Sequence, residues 1–167
     1  EHPDLPVVLF GHSMGSFATQ HYLLDHSADV DAVVLSGSTE VGWLVPVLDA
    51  DEPADLSAFN EPFEHRTGFE WLSRDEAEVD AYVADPACGW EAPPLSGIGS
   101  LAAAADPDRV AAVRDDLPML IVSGDADPLA QGGATVELLA QRFRDAGLGD
   151  VEVRLYPGGR HELLNET

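Results

Sequence analysis

The chain has 167 residues, 45% of them hydrophobic, a length and balance that suit one globular domain with a real core. Its 31 acidic residues against 8 basic ones, all arginine, give a net charge of −23, a field that excludes nucleic acid and anionic membrane surfaces as partners. No apolar run approaches the length of a membrane span, so no stable membrane insertion is expected, and the single cysteine, Cys88, excludes an intrachain disulfide and a thiolate metal cluster.

The excess of acid reads as a solvated surface suited to high salt or to solubility, and Cys88 reads as a small packed residue. Leu5-Pro6-Val7-Val8-Leu9-Phe10 is a short apolar run bounded by Pro6 and Gly11 and led by two β-branched residues, which predicts a buried strand. Helical spacing follows from Ser16 to about His26, so Gly11-His12-Ser13-Met14-Gly15 lies on a strand-to-helix turn. Asp31 to Gly37 is a second buried strand, and strand, helix, strand in quick succession is a βαβ unit with parallel strands.

From about Val41 to Ala105 the pattern changes. Pro46, Pro53, Pro62, Pro86, Pro93 and Pro94 break the segment, which holds all three tryptophans (Trp43, Trp71, Trp90) and three of the six phenylalanines, Phe59, Phe63 and Phe69. Asp75 to Ala84 is a candidate helix capped by Ser73, with Glu76 three residues on. Aromatic residues on broken helices outside a sheet suggest a lid with an apolar pocket, or equally an insertion with its own small core. Alternation resumes with a strand from Pro118 to Gly124, a helix from Gly133 to Ala146 closed by Gly147, and an edge strand from Val151 to Leu155. The expected organisation is a core at 1–40 and 106–167 around a helical lid at 41–105, in a mostly parallel α/β sheet flanked by helices.

In open parallel sheets, reactive groups gather beyond the C-terminal ends of the strands. Ser13, the pair Asp125 and Asp127, and His161 each follow a predicted strand, in the order serine, aspartate, histidine. Serine is a poor nucleophile at neutral pH, so an imidazole must take its proton, and a buried carboxylate fixes the imidazole tautomer. A serine on a Gly-x-Ser-x-Gly turn is pushed into the open, flanked by glycines because side chains there would collide with the neighbouring strand or helix. The Met14 N–H then points at the oxygen that becomes negative during attack. His161 is the only histidine after a late strand. His2, His12, His21, His26 and His65 read as surface or packing residues, His12 because adjacent side chains on the turn diverge. Spacing leaves both aspartates open as the acid and leans towards Asp127, which Pro128 follows.

The turn at Gly11–Gly15, together with Gly124-Asp125-Ala126-Asp127-Pro128-Leu129 and Tyr156-Pro157-Gly158-Gly159-Arg160-His161-Glu162, resembles the monoacylglycerol lipase and lysophospholipase group of α/β hydrolases, also classed with serine-aminopeptidase-like hydrolases. Residues 60–75 and Asp85-Pro86-Ala87-Cys88-Gly89 are similar to bacterial lysophospholipases, and the resemblance covers nearly the whole chain. It implies that the acid is Asp127 and the base His161, that the substrate is a small lipid ester, and that neither metal nor organic cofactor is needed. Phe59, Phe63, Phe69 and Trp71 would line the acyl pocket. In that group a second oxyanion donor lies in a His-Gly loop upstream of the nucleophile strand, and a closing helix follows the histidine. Residues 1–10 hold no such loop and the sequence stops at Thr167, so the expectation is a piece of a longer enzyme.

Two other readings stay open: an esterase or aminopeptidase-like hydrolase of small non-lipid substrates, and a non-catalytic scaffold on a hydrolase fold. Location is read as cytoplasmic, and oligomeric state is left open.

Overall fold

Among the described residues four strands carry the fold: β1 (Val8–His12), β2 (Ala32–Ser36), β3 (Met119–Gly124) and β4 (Val151–Tyr156). They form one parallel sheet in the order β1-β2-β3-β4. Six helices accompany them among the described residues: α1 (Met14–His26), α2 (Val41–Leu44), α3 (Glu76–Ala84), α4 (Ile98–Leu101), α5 (Pro107–Val110) and α6 (Ala134–Asp145). The structure, a computed structural model, describes residues 5–45, 56–89 and 98–167. Pro46, Pro53, Trp90, Pro93 and Pro94 of the expected lid lie outside these residues.

The register explains which face is buried. Leu9, Val33, Met119 and Val151 stand in one row across the sheet, with Gly11, Leu35, Ile121 and Val153 two residues on. Successive side chains alternate between faces, so these eight share one. Val33, Leu35, Met119 and Ile121 are buried in one cluster with Phe17, Leu23 and Leu24 of α1 and Val136, Leu139, Ala140 and Phe143 of α6. Both long helices therefore cover the same face, and burial of this apolar surface is the main term holding the layers together.

The opposite face carries Phe10, Val34, Leu120 and Glu152, then His12, Ser36, Val122 and Arg154. Here the expectation of a fully buried first strand fails: Val8 is 57% and Phe10 46% exposed. The physical reason is placement, since β1 is an edge strand among the described residues and neither Val8 nor Phe10 belongs to the core that α1 and α6 build on the other face.

The later elements follow the sequence closely. α6 buries the predicted stripe of Val136, Leu139, Ala140 and Phe143 and ends where Gly147 adopts a left-handed φ of 107°. In α3 the cap differs from expectation. Asp75, not Ser73, accepts from the Ala77 N–H at 2.9 Å, because the Ser73 hydroxyl is directed to the Asn165 carbonyl at 2.6 Å.

Candidate active site

One residue separates β1 from α1, and it is Ser13. Its backbone stands at φ 53°, ψ −125°, a region that side-chain-bearing residues avoid, which is the strain expected of a serine at the apex of such an elbow. The turn is held by the Ser13 N–H, which donates to the Ser36 carbonyl at 3.0 Å and so extends the β1–β2 ladder. Gly11 is required by close approach: a Cβ there would lie 2.5 Å from Thr19 Oγ1 and 2.7 Å from the Gly15 carbonyl. Gly15 is a correction, since a Cβ at that position would meet nothing within 4 Å. Met14 opens α1, so its N–H has no intrahelical acceptor.

Beyond β3 the chain turns so that Asp127 caps the 3-10 segment Pro128–Gly133, with Oδ1 accepting from the Leu129 N–H at 2.9 Å. Its second oxygen, Oδ2, accepts from His161 Nδ1 at 2.9 Å, and both side chains are essentially inaccessible to solvent. Because Nδ1 holds the hydrogen of this bond, Nε2 is the ring's basic nitrogen, and it is buried without a hydrogen-bond partner among the described residues. No hydrogen bond joins it to the Ser13 hydroxyl. Asp125 plays a different part. It is exposed, and its Oδ1 accepts from the Gly158 N–H at 2.6 Å, tying the β3 loop to the β4 loop that carries His161.

The imidazole of His161 lies between two rings. Trp71 stands 4.8 Å away between centroids on one contact and His12 4.9 Å away on another. Gly37, at φ 54°, makes the second contact possible, since a Cβ there would be 2.9 Å from His161 Cε1 and 3.0 Å from His12 Cε1. His12 packs against the candidate base, a role the sequence reading missed by treating adjacent turn side chains as divergent. Its only sequence signal was its place inside the pentapeptide. Burial first, and then His161, holds His12 below the usual 6.5, against the opposing pull of Glu162, Asp127 and Ser36.

The four proposed lid aromatics do not form one wall. Trp71 is buried and touches Phe59 at 5.3 Å as well as His161. Phe69 packs on Tyr82 at 5.1 Å, and Phe63 lies beneath the Arg160 guanidinium at 4.5 Å. Arg160 donates to the carbonyls of Glu70 and Ser73 at 2.6 and 2.9 Å, while the His161 and Glu162 N–H groups donate to the carbonyls of Trp71 and Leu72. Residues 70–74 thus form a brace along the histidine loop. Within the brace, burial alone would raise the Glu70 carboxyl, but hydrogen bonds from Thr67, Asn60 and the Thr67 and Gly68 amides outweigh it and hold the group at about 2.

Among the described residues, no cluster of three or more His, Cys, Asp or Glu side chains is placed to hold a metal ion, and no helix is long and apolar enough to cross a membrane.

A parallel sheet with a strained serine elbow after one strand and helices packed against it defines an α/β-hydrolase fold, present here in part. The sequence model of the family described as serine aminopeptidase, S33, matches residues 1–167, and the chain belongs to that family. It is 33% identical to a monoacylglycerol lipase of Mycolicibacterium smegmatis over 175 residues, covering 99% of this chain and 59% of that protein. It is 31% identical to a monoglyceride lipase of Mus musculus, covering 99% of this chain and 54% of that one. Among solved structures, a thermostable carboxyl esterase from Bacillus coagulans in complex with glycerol superposes with a TM-score of 0.78 at 28% identity, over 98% of this chain and 60% of that one. The chain thus spans little more than half the length of these relatives.

Proposed function

We propose that this chain carries the catalytic serine, acid and base of a hydrolase that cleaves carboxylic esters of lipids, monoacylglycerols or lysophospholipids, through an acyl-enzyme. The observation that carries the reading is the buried His161–Asp127 pair, in a sheet whose first strand ends in the strained Ser13 elbow. In the proposed sequence Ser13 Oγ attacks the ester carbonyl while His161 Nε2 takes its proton. Asp127 holds the ring in the required tautomer and stabilises the imidazolium. The Met14 N–H donates to the developing oxyanion, His161 returns the proton to the departing alcohol, and water then frees the fatty acid. The transfer needs Nε2 within hydrogen-bonding reach of Ser13, a contact that hydrolases tighten when substrate binds. The lipid substrate class is supported by the names of the relatives, a monoacylglycerol lipase and a monoglyceride lipase. In this reading Trp71, which lies beside His161, and Phe59, which packs on Trp71, stand nearest the acyl chain, while Phe63 and Phe69 shape the insertion behind them.

Labelling with a fluorophosphonate tests the mechanism. The wild type is expected to label, and Ser13→Ala and His161→Ala to lose the label; an unlabelled wild type would return the chain to the scaffold reading. A series of glycerol esters of increasing acyl length tests the substrate, with rising kcat/KM expected as the chain lengthens and a preference for acetyl esters counting against a lipid substrate.

A further inference from the structure

We infer that Ser16, backed by Ser38 and Gln20, is a positioning residue that aims the Met14 N–H at the oxyanion; the inference rests on the function proposed above. Ser16 Oγ lies 2.6 Å from the Ser13 carbonyl oxygen and 2.8 Å from Ser38 Oγ. Gln20 Nε2 lies 3.0 Å from Ser38 Oγ and 3.2 Å from the Thr39 carbonyl. Ser16, Gln20, Ser38 and Thr39 are all 0% exposed, so water does not replace any of these bonds.

Counting hydrogens fixes the direction of the chain. The Ser13 carbonyl only accepts, so the single hydroxyl hydrogen of Ser16 is committed to it. The contact between Ser16 and Ser38 then uses the hydrogen of Ser38. Thr39 presents a carbonyl, so the Gln20 atom facing it is the amide nitrogen, which donates its other hydrogen to Ser38. The result runs one way, from Gln20 to Ser38 to Ser16 to Ser13.

The end point of that relay matters because of peptide geometry. The carbonyl of Ser13 and the N–H of Met14 belong to one planar trans unit and point in opposite directions. Whatever fixes the carbonyl therefore fixes the N–H. The Ser13 carbonyl also accepts from the Ser16 N–H at 2.8 Å and the Phe17 N–H at 3.4 Å, and at φ 53° the Ser13 backbone has reason to relax. The Ser16 hydroxyl adds the shortest of the three bonds that hold this carbonyl, and a donated bond there also polarises the N–H on the far side. Nothing in the Gly-x-Ser-x-Gly pattern marks Ser16, which is the residue after it.

The test is steady-state kinetics on a short-chain nitrophenyl ester for wild type, Ser16→Ala, Ser16→Thr and Ser38→Ala, each with its folded fraction measured. Ser16→Ala is expected to lower kcat by about tenfold or more with KM unchanged, since the donor acts mainly in the transition state. Ser16→Thr keeps the hydroxyl and is expected to recover most of that loss, and Ser38→Ala to show a smaller fall of the same kind. Unchanged kcat in Ser16→Ala, or equal losses in the alanine and threonine variants, would overturn the role. Should Ser16→Ala fail to fold, Ser38→Ala decides alone, and a wild-type kcat there overturns the relay. A wild type that neither turns over nor labels at Ser13 overturns the hydrolase reading itself and this role with it, whereas a labelled wild type beside an indifferent Ser16→Ala removes only the inference.

Discussion

Trp71 and His161 touch through both ring and main chain: the centroids are 4.8 Å apart, and the His161 N–H donates to the Trp71 carbonyl at 3.3 Å. A residue expected to line a lid is thus part of the support of the candidate base. Trp71→Ala is expected to destabilise the fold by about 3–5 kcal/mol, the usual cost of emptying a buried aromatic site. Trp71→Phe keeps a ring against His161 and empties only part of the indole site, including an Nε1 that has no hydrogen-bond partner among the described residues, so the loss should be well below that of Trp71→Ala. Urea denaturation of the two variants checks this, and equal losses would mean that a ring packed against His161 contributes nothing to stability.

Asp127 has two partners, the His161 ring and the Leu129 amide. Asp127→Asn keeps an oxygen for the Leu129 cap but places an amide against Nδ1, which favours the wrong tautomer. Turnover is expected to fall by about 10⁴-fold while the fold survives, as in serine hydrolases that lose the acid this way. Asp125→Asn, which touches only the Gly158 amide, should retain activity. Equal losses in the two variants would return the choice of acid to the open state in which spacing alone leaves it.

How much of this was legible beforehand divides along physical lines. The four strands, the elbow and the α6 stripe were readable because they depend on local periodicity and turn chemistry. That His161 would meet the Asp125 and Asp127 loop was readable because strand ends share an edge, whereas the choice of Asp127 came from the resemblance and only a lean from spacing. Three other features were not. The exposure of Val8 and Phe10 depends on what packs against a face, and the meeting of His12 with His161 depends on Gly37, a residue from another strand end. The Ser16 relay uses polar side chains on the buried face of α1, where Ser16, Thr19 and Gln20 stand among Phe17, Leu23 and Leu24 and blur the apolar pattern.

Glu70 gives the brace a pH dependence with a definite sign. Its folded-state value of about 2 lies below the ordinary 4.5, so the ionised form is the one that stabilises the fold. That contribution, about 3 kcal/mol, is fully present above roughly pH 5 and is lost as the pH falls towards 2. Glu70→Gln should therefore be less stable than wild type at pH 7, and the gap should narrow by roughly half by pH 3. A gap independent of pH would show that the carboxylate charge contributes nothing.

His12 has the opposite linkage to pH from a paired histidine. Its folded value is depressed below 6.5, chiefly by burial, so the folded state takes up fewer protons than the unfolded one in that range. Stability is then lost as the pH falls below 6.5, and His12→Asn should lose less between pH 7 and pH 5.5 than wild type. Proton NMR of the His12 ring provides the direct reading, with a midpoint below 6.5 expected and one above it contradicting the burial described.

The strip in which residues 70–74 lie along residues 160–167 has a consequence for engineering. The Arg160 guanidinium reaches the carbonyls of Glu70 and Ser73, and Arg74 pairs with Glu166 at 2.6 Å. An insertion transplanted from another hydrolase to alter selectivity would arrive without the matching half of this seam. Chimeras should therefore exchange both stretches together, because a graft that moves only the insertion also resets the alignment of the base.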